Sequence, residues 1–206
     1  MRHKGLRRLE CALLAALVIS LGASAVPVAR SCEQISDRVI RLHILANSDS
    51  AADQAEKLRV RDRVLREATE WADGAQNRAE AEAAIADALP EIERAAQAQL
   101  RADGCDATVR AELTDMYFTA RTYPAGTLPA GTYRALRLTI GEGRGHNWWC
   151  VVFPPVCVAA AADSPAMDDV LTPGQLDIVE HPGRYRVRLK VVEWWAQLRA
   201  WIAPHE

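Results

Sequence analysis

The chain opens with a basic cluster, Arg2, Lys4, Arg7 and Arg8, followed by an apolar run from Cys11 to Leu21 and the small residues Gly22-Ala-Ser-Ala25. That order is the basic head, apolar stretch and small-residue cleavage site of a secretory signal, with Ala23 and Ala25 as the A-x-A pair. Cys11 to Ala25 is fifteen residues, short of the roughly 20 that span a bilayer comfortably. The alternative is that residues 1–25 remain attached as an uncleaved anchor. In both cases the segment divides the chain, and only the remainder, from residue 26 onward, has to build a core, outside the cytoplasm.

The division changes the composition argument. The whole chain is 206 residues, 50% hydrophobic and 25% charged, with a formal net charge of -2, the composition of an ordinary globular protein. Without residues 1–25 the balance is 21 basic against 26 acidic groups, a net of -5. A mildly acidic body excludes a nucleic-acid binder and a polybasic membrane-surface protein, both of which need a basic surplus. Cys11 leaves with the signal, so four cysteines remain in an exported domain: Cys32, Cys105, Cys150 and Cys157. They allow three pairings; the short spacing favours Cys150 with Cys157, and buried free thiols are the alternative. Neither Cys11 nor Cys32 follows a lipobox-like run, so a lipid anchor is not expected.

The expected fold class is α+β. Val39 to Leu45 alternates, with Ile40, Leu42 and Ile44 on one face and Arg41 and His43 on the other, which predicts a strand with one buried face and a partly exposed His43. Ser50 with Asp53 predicts a capped helix to about Ala72, with Val60, Val64, Leu65, Ala68 and Trp71 as its apolar stripe. Asn77 with Glu80 caps a second helix through Ile85, Leu89, Ile92, Ala96 and Leu100, kinked or split at Pro90. Residues 108–113, 116–121 and 133–140 then read as an antiparallel meander. With the first strand it forms a small antiparallel, or mixed, sheet carrying the two helices on one face.

Residues 141–162 are expected to form a long irregular loop rich in Trp, Cys and Pro. A polar, Pro-containing linker follows over 159–183. The chain ends in a Trp-rich amphipathic helix within 184–206, with Val191, Trp194, Trp195, Leu198, Trp201 and Ile202 on one side. That helix is expected to pack on the domain, with contact at a membrane interface as the alternative. The domain proper is placed at 36–158.

No chemistry-bearing constellation stands out. There is no His-x-x-x-His pair, Cys-x-x-Cys, phosphate loop or Gly-x-Ser-x-Gly elbow, so no catalytic, metal or cofactor site and no small-molecule substrate are expected. Gly141-Glu-Gly-Arg-Gly145 has its third glycine one position early for a nucleotide loop, and Asp49 and Asp53 fit helix capping better than a cation site. Asn147, Trp148, Trp149, Phe153, Pro154 and Pro155 form the candidate partner-binding loop, because aromatic groups on a stiff backbone lose little entropy on binding. The competing expectation is that Trp148 and Trp149 fill the core.

Arg41-Leu-His-Ile-Leu-Ala-Asn-Ser-Asp49, Asp53 to Asp62, Tyr123-Pro-Ala-Gly126, Tyr133-Arg-Ala-Leu136, Ile140-Gly-Glu-Gly143 and Asn147 to Cys157 together resemble, in order, the stage II sporulation protein R family. The resemblance covers about residues 36–158; Val152, Val156 and Val158 depart from its usual residues, and the linker and Trp-rich end match nothing in it. It implies a secreted, non-enzymatic signalling protein of endospore formers, exported into the space between forespore and mother-cell membranes. Its implied partner is a membrane-bound aspartic-type protease of the stage II GA type, which processes pro-sigma-E. An exported hydrolase using His43, or a structural protein of the cell envelope, are the alternatives.

Overall fold

The computed structural model describes residues 2–71, 74–155 and 166–202. Ala72, Val156, Cys157, Val158 and residues 159–165 of the expected linker lie outside them, as do the side chains of Ala68, Trp71, Leu198, Trp201 and Ile202.

Helix α1 (Arg2–Ser36) carries the apolar segment without a break into the domain, running through Pro27. Strand β1 (Ile40–Leu45) follows, then helices α2 (Ala51–Trp71) and α3 (Arg78–Ala102). The Asn77 side chain accepts the Glu80 N–H at 3.1 Å, the expected cap, and α3 continues as one element across Pro90. Strand β2 (Val109–Phe118) merges two expected strands. Arg121–Tyr123 (β3) and Gly126–Leu128 (β4) form a separate small hairpin before β5 (Gly131–Ile140) and β6 (Asn147–Phe153).

The main sheet has the order β2-β5-β1-β6. β1 runs parallel to β5 and antiparallel to β6, so the sheet is mixed, and the first strand lies inside it. The class is α+β, as the sequence indicates. One face of the sheet presents Ile40, Leu42, Ile44, Leu136, Leu138, Cys150 and Val152 to Val60, Val64, Ile85, Ile92 and Leu100 of α2 and α3. Each large aliphatic buried there is worth roughly 1.5–3 kcal/mol relative to exposure, so this layer supplies much of the stability.

The two helices α2 and α3 lie on one face, as expected. The opposite face is also covered: Val28, Cys32 and Ile35 of α1 pack with Phe118, Tyr133, Ala135 and Val151. Two short helices join them, α4 (Met167–Val170) and α5 (Pro173–Glu180), through Met167, Leu171, Ile178 and Val179. The second half of the expected linker is therefore folded, because its apolar residues complete this layer. The Gln175 side-chain amide donates to Gln34 Oε1 at 3.0 Å and ties α5 to α1. Pro182–Tyr185 makes a single 3-10 turn into the final helix, α6 (Arg186–Ile202).

The expected irregular loop is corrected too, since Asn147–Phe153 is the edge strand β6. Cys150, Val151, Val152 and Phe153 are all buried, with Cys150 and Val151 at 0% exposure. A strand buried on both faces has no polar residue at every second position, so Trp-Trp-Cys-Val-Val-Phe shows no alternation to read.

Candidate functional site

Four of the resemblance segments, 41–49, 53–62, 140–143 and the described part of 147–157, come together at one end of the sheet. Where β1 ends, Asn47 Oδ1 accepts the Glu142 backbone N–H at 3.0 Å, and Asn47 Nδ2 donates to Asp53 at 3.1 Å. The Asp53 carboxylate also accepts from Ser48, which holds the carboxyl below its usual range, while the Asp53 N–H donates to Ser50 Oγ at 3.1 Å as the expected cap. Gly145 N–H donates to Ala46 carbonyl at 2.9 Å. A Cβ on Gly145 would lie 2.2 Å from the Ser48 carbonyl oxygen, so the backbone approach excludes any side chain. The glycines of Gly141–Gly145 thus lock a turn against the β1–α2 junction.

His146 completes the clasp. Its N–H donates to Asp49 Oδ1 at 2.6 Å, and its ring contacts the same oxygen; the backbone bond first, then the side-chain bond, lower the Asp49 carboxyl. Lys57, only 4% exposed, donates to the His146 carbonyl at 2.8 Å and to Gln54 Oε1 at 2.6 Å, and burial lowers its ammonium. Asp49 and Asp53 are occupied by these bonds, and among the described residues no three His, Cys, Asp or Glu side chains form a metal-sized cluster.

On the sheet face under α1 the structure overturns the reading of Arg41 and His43. Arg41 is 0% exposed, its guanidinium 4.1 Å from the Phe118 ring centroid, 4.9 Å from that of Tyr133 and 5.6 Å from that of Tyr123. Arg41 Nη2 donates to the Tyr123 hydroxyl at 2.5 Å, whereas Nε and Nη1 have no hydrogen-bond partner. This is an aromatic cage around a cation with no carboxylate bonded to it.

His43 is 4% exposed rather than open, because Trp149 from β6 covers it at a centroid distance of 4.1 Å and 12° between planes. Both ring nitrogens are unpartnered, and burial, then the Arg137 charge, lower its pKa to about 4. A neutral imidazole with no carboxylate to orient it and little solvent access is poorly placed as a general base. Phe118 stands edge-on to Trp149 at 4.9 Å, and Arg121 lies 5.2 Å from the Trp149 ring centroid.

The candidate contact residues are thus divided. Asn147 is exposed; Trp148, Trp149 and Pro155 are half-buried; Phe153 and Pro154 are buried, following a cis Phe153–Pro154 bond. Trp148 packs beneath Arg61, 4.3 Å from the guanidinium carbon, against the α2–α3 layer. Cys150 is disulfide-bonded, while Cys11, Cys32 and Cys105 are free thiols; the expected partner Cys157 is outside the described residues. Ala23 lies in the middle of α1 and Ala25 is buried, so the expected cleavage site sits within a continuous helix. Arg41, Lys57 and Tyr133 were not singled out from sequence. Arg41 stands at the polar-facing position of an alternating strand, which signals exposure unless a third layer covers it.

The chain is thus a mixed sheet between two helical layers, with an N-terminal apolar helix that runs into one of them. The family profile described as stage II sporulation protein R matches residues 36–163, and the chain belongs to that family. The chain is 41% identical over 123 residues to stage II sporulation protein R of Bacillus subtilis (strain 168). That match takes in 60% of this chain and 55% of the relative, so the chain spans just over half of that protein's length. No solved structure matches it.

Proposed function

We propose that this chain is an exported, non-enzymatic signalling protein of endospore formation that activates a membrane-bound aspartic-type protease, leading to removal of the pro-sequence of sigma-E. The observation that carries the reading is family membership over residues 36–163, joined to an apolar helix that runs directly into the matched domain. A domain attached to such a helix is held at, or released from, a membrane surface, which is where a membrane-bound protease would be met.

The surface assigned to the protease is the outer edge of β6. Among the described residues no strand pairs with that edge, and an open edge offers backbone N–H and C=O groups to a partner segment. Asn147 is exposed and Trp148, Trp149 and Pro155 are half-buried along it, while Phe153 and Pro154 are buried at its end. The proposed Cys150–Cys157 bridge would fix the chain leaving the strand.

Co-expression with the protease and its sigma substrate in a non-sporulating host tests the function. Pro-sequence removal should require this chain, and a folded, exported chain that gives no removal would overturn the reading. Asn147→Arg with Pro155→Asp tests the edge separately: processing should fall with no change in thermal midpoint. Unchanged processing would move the contact elsewhere and leave the function standing. His43→Gln should keep processing, whereas its loss in a folded variant favours the hydrolase.

A further inference from the structure

We infer that α6 is a second membrane element, seated through Trp194 and Trp195 in the outer interface of the bilayer that α1 enters. Val187, Val191, Trp194 and Trp195 are 64%, 40%, 74% and 58% exposed. They stand at i, i+4, i+7 and i+8, an apolar stripe along one side of α6 that borders α1. The opposite side of the same helix packs Leu189 and Val192 against the sheet layer. An amphipathic helix docked on its own domain needs one apolar side; α6 has two.

The occupant is identified by what adjoins the stripe. Among the described residues every exposed large hydrophobic except Leu58 lies on α1 or α6. The two helices meet along a groove of about 530 Å³ between Gly22, Val26 and Ala29 of α1 and Val191, Trp194 and Trp195 of α6. The stripe therefore continues into the apolar surface of α1, whose Cys11–Ser36 stretch is long and apolar enough to cross a membrane. From Cys11 to Ala29, the last residue before Arg30, the helix rises about 28 Å at ~1.5 Å per residue, close to the hydrocarbon thickness. The groove lies over the final turns of that span, where indole rings favour the boundary between headgroups and acyl chains. Exposed Arg184, Arg186, Arg188 and Lys190 precede the tryptophans and suit anionic headgroups. This inference is independent of the protease.

The test uses the full chain reconstituted in phosphatidylcholine–phosphatidylglycerol vesicles, with ordinary or brominated acyl chains. The emission lost in Trp194→Phe/Trp195→Phe relative to the parent isolates these two indoles. That difference should fall about twofold or more in brominated vesicles, as for rings within reach of the acyl chains. A difference equal in both vesicle types overturns the inference, including the case in which a second copy of the chain covers the stripe. If the double variant loses its circular dichroism signature, the single Phe variants carry the same comparison.

Discussion

His43 and Trp149 are register partners across the β1–β6 ladder, and their rings stack 4.1 Å apart between centroids. The pairing closes the sheet face over His43 and joins two segments that lie within the family match. It also makes the imidazole a buried base.

The first prediction follows from that burial. The folded pKa of about 4 lies below the unfolded value of 6.5, so folding favours the neutral ring. The associated stability is fully present above pH 6.5 and is lost as pH falls toward 4, by up to about 3 kcal/mol. Parent and His43→Phe urea midpoints should differ by an amount that changes steadily across this window, with the variant less acid-sensitive. Parallel curves would refute the assignment.

Arg41 should behave as a buried cation whose hydration is only partly replaced. Arg41→Met keeps an unbranched apolar stem, two atoms shorter, and removes two unpartnered donor nitrogens, so its thermal midpoint should equal or exceed the parent's. Arg41→Ala leaves the cage of Phe118, Tyr123 and Tyr133 empty and should cost about 2–4 kcal/mol. A destabilised methionine variant would show that the guanidinium contacts outweigh its desolvation.

The glycine clasp separates two positions sharply. Gly145→Ala drives a methyl against the Ser48 carbonyl and should destabilise by about 2 kcal/mol or more. Gly174, in α5, has nothing within 4 Å of its would-be Cβ, so Gly174→Ala should be neutral or gain up to about 1 kcal/mol. Chemical denaturation of the two variants side by side measures the contrast.

Trp149→Ala removes the cover from His43 and the edge contact with Phe118, which should cost about 3 kcal/mol. It should also raise the His43 pKa toward 6.5, readable by proton NMR of the imidazole. Loss of processing in this variant would report folding as much as contact, which is why exposed Asn147 and Pro155 are the better probes of the partner surface.

With Cys11, Cys32 and Cys105 free, alkylation of the denatured full chain should add three groups before reduction and five after. Peptide mapping should place the blocked pair at Cys150 and Cys157. Reduction of a loop this short should lower stability by about 2 kcal/mol. Five additions without reductant would remove the disulfide from the account.

The sequence by itself determined the elements whose two sides differ. β1, α2, α3 and β5 carry one apolar face and one polar face, or clear caps, so period and capping located them. The capping roles of Asn77 and Ser50 were equally readable, because they rest on residues three positions apart.

Only tertiary structure decided β6, the second helical layer and the state of Arg41 and His43. β6 is apolar throughout because both of its faces are covered, and a pattern without contrast gives no period. Arg41 and His43 occupy the polar side of an alternating strand, which reads as solvent until α1 and Trp149 cover it. Those covers come from Val28, Cys32 and Ile35 of α1 and from β6, far apart in the chain and brought together only when the sheet forms. The apolar N-terminal run was visible from its composition. That its last turns also serve as a core element was not, because the buried residues Val28, Cys32 and Ile35 lie past the segment that looks like a signal.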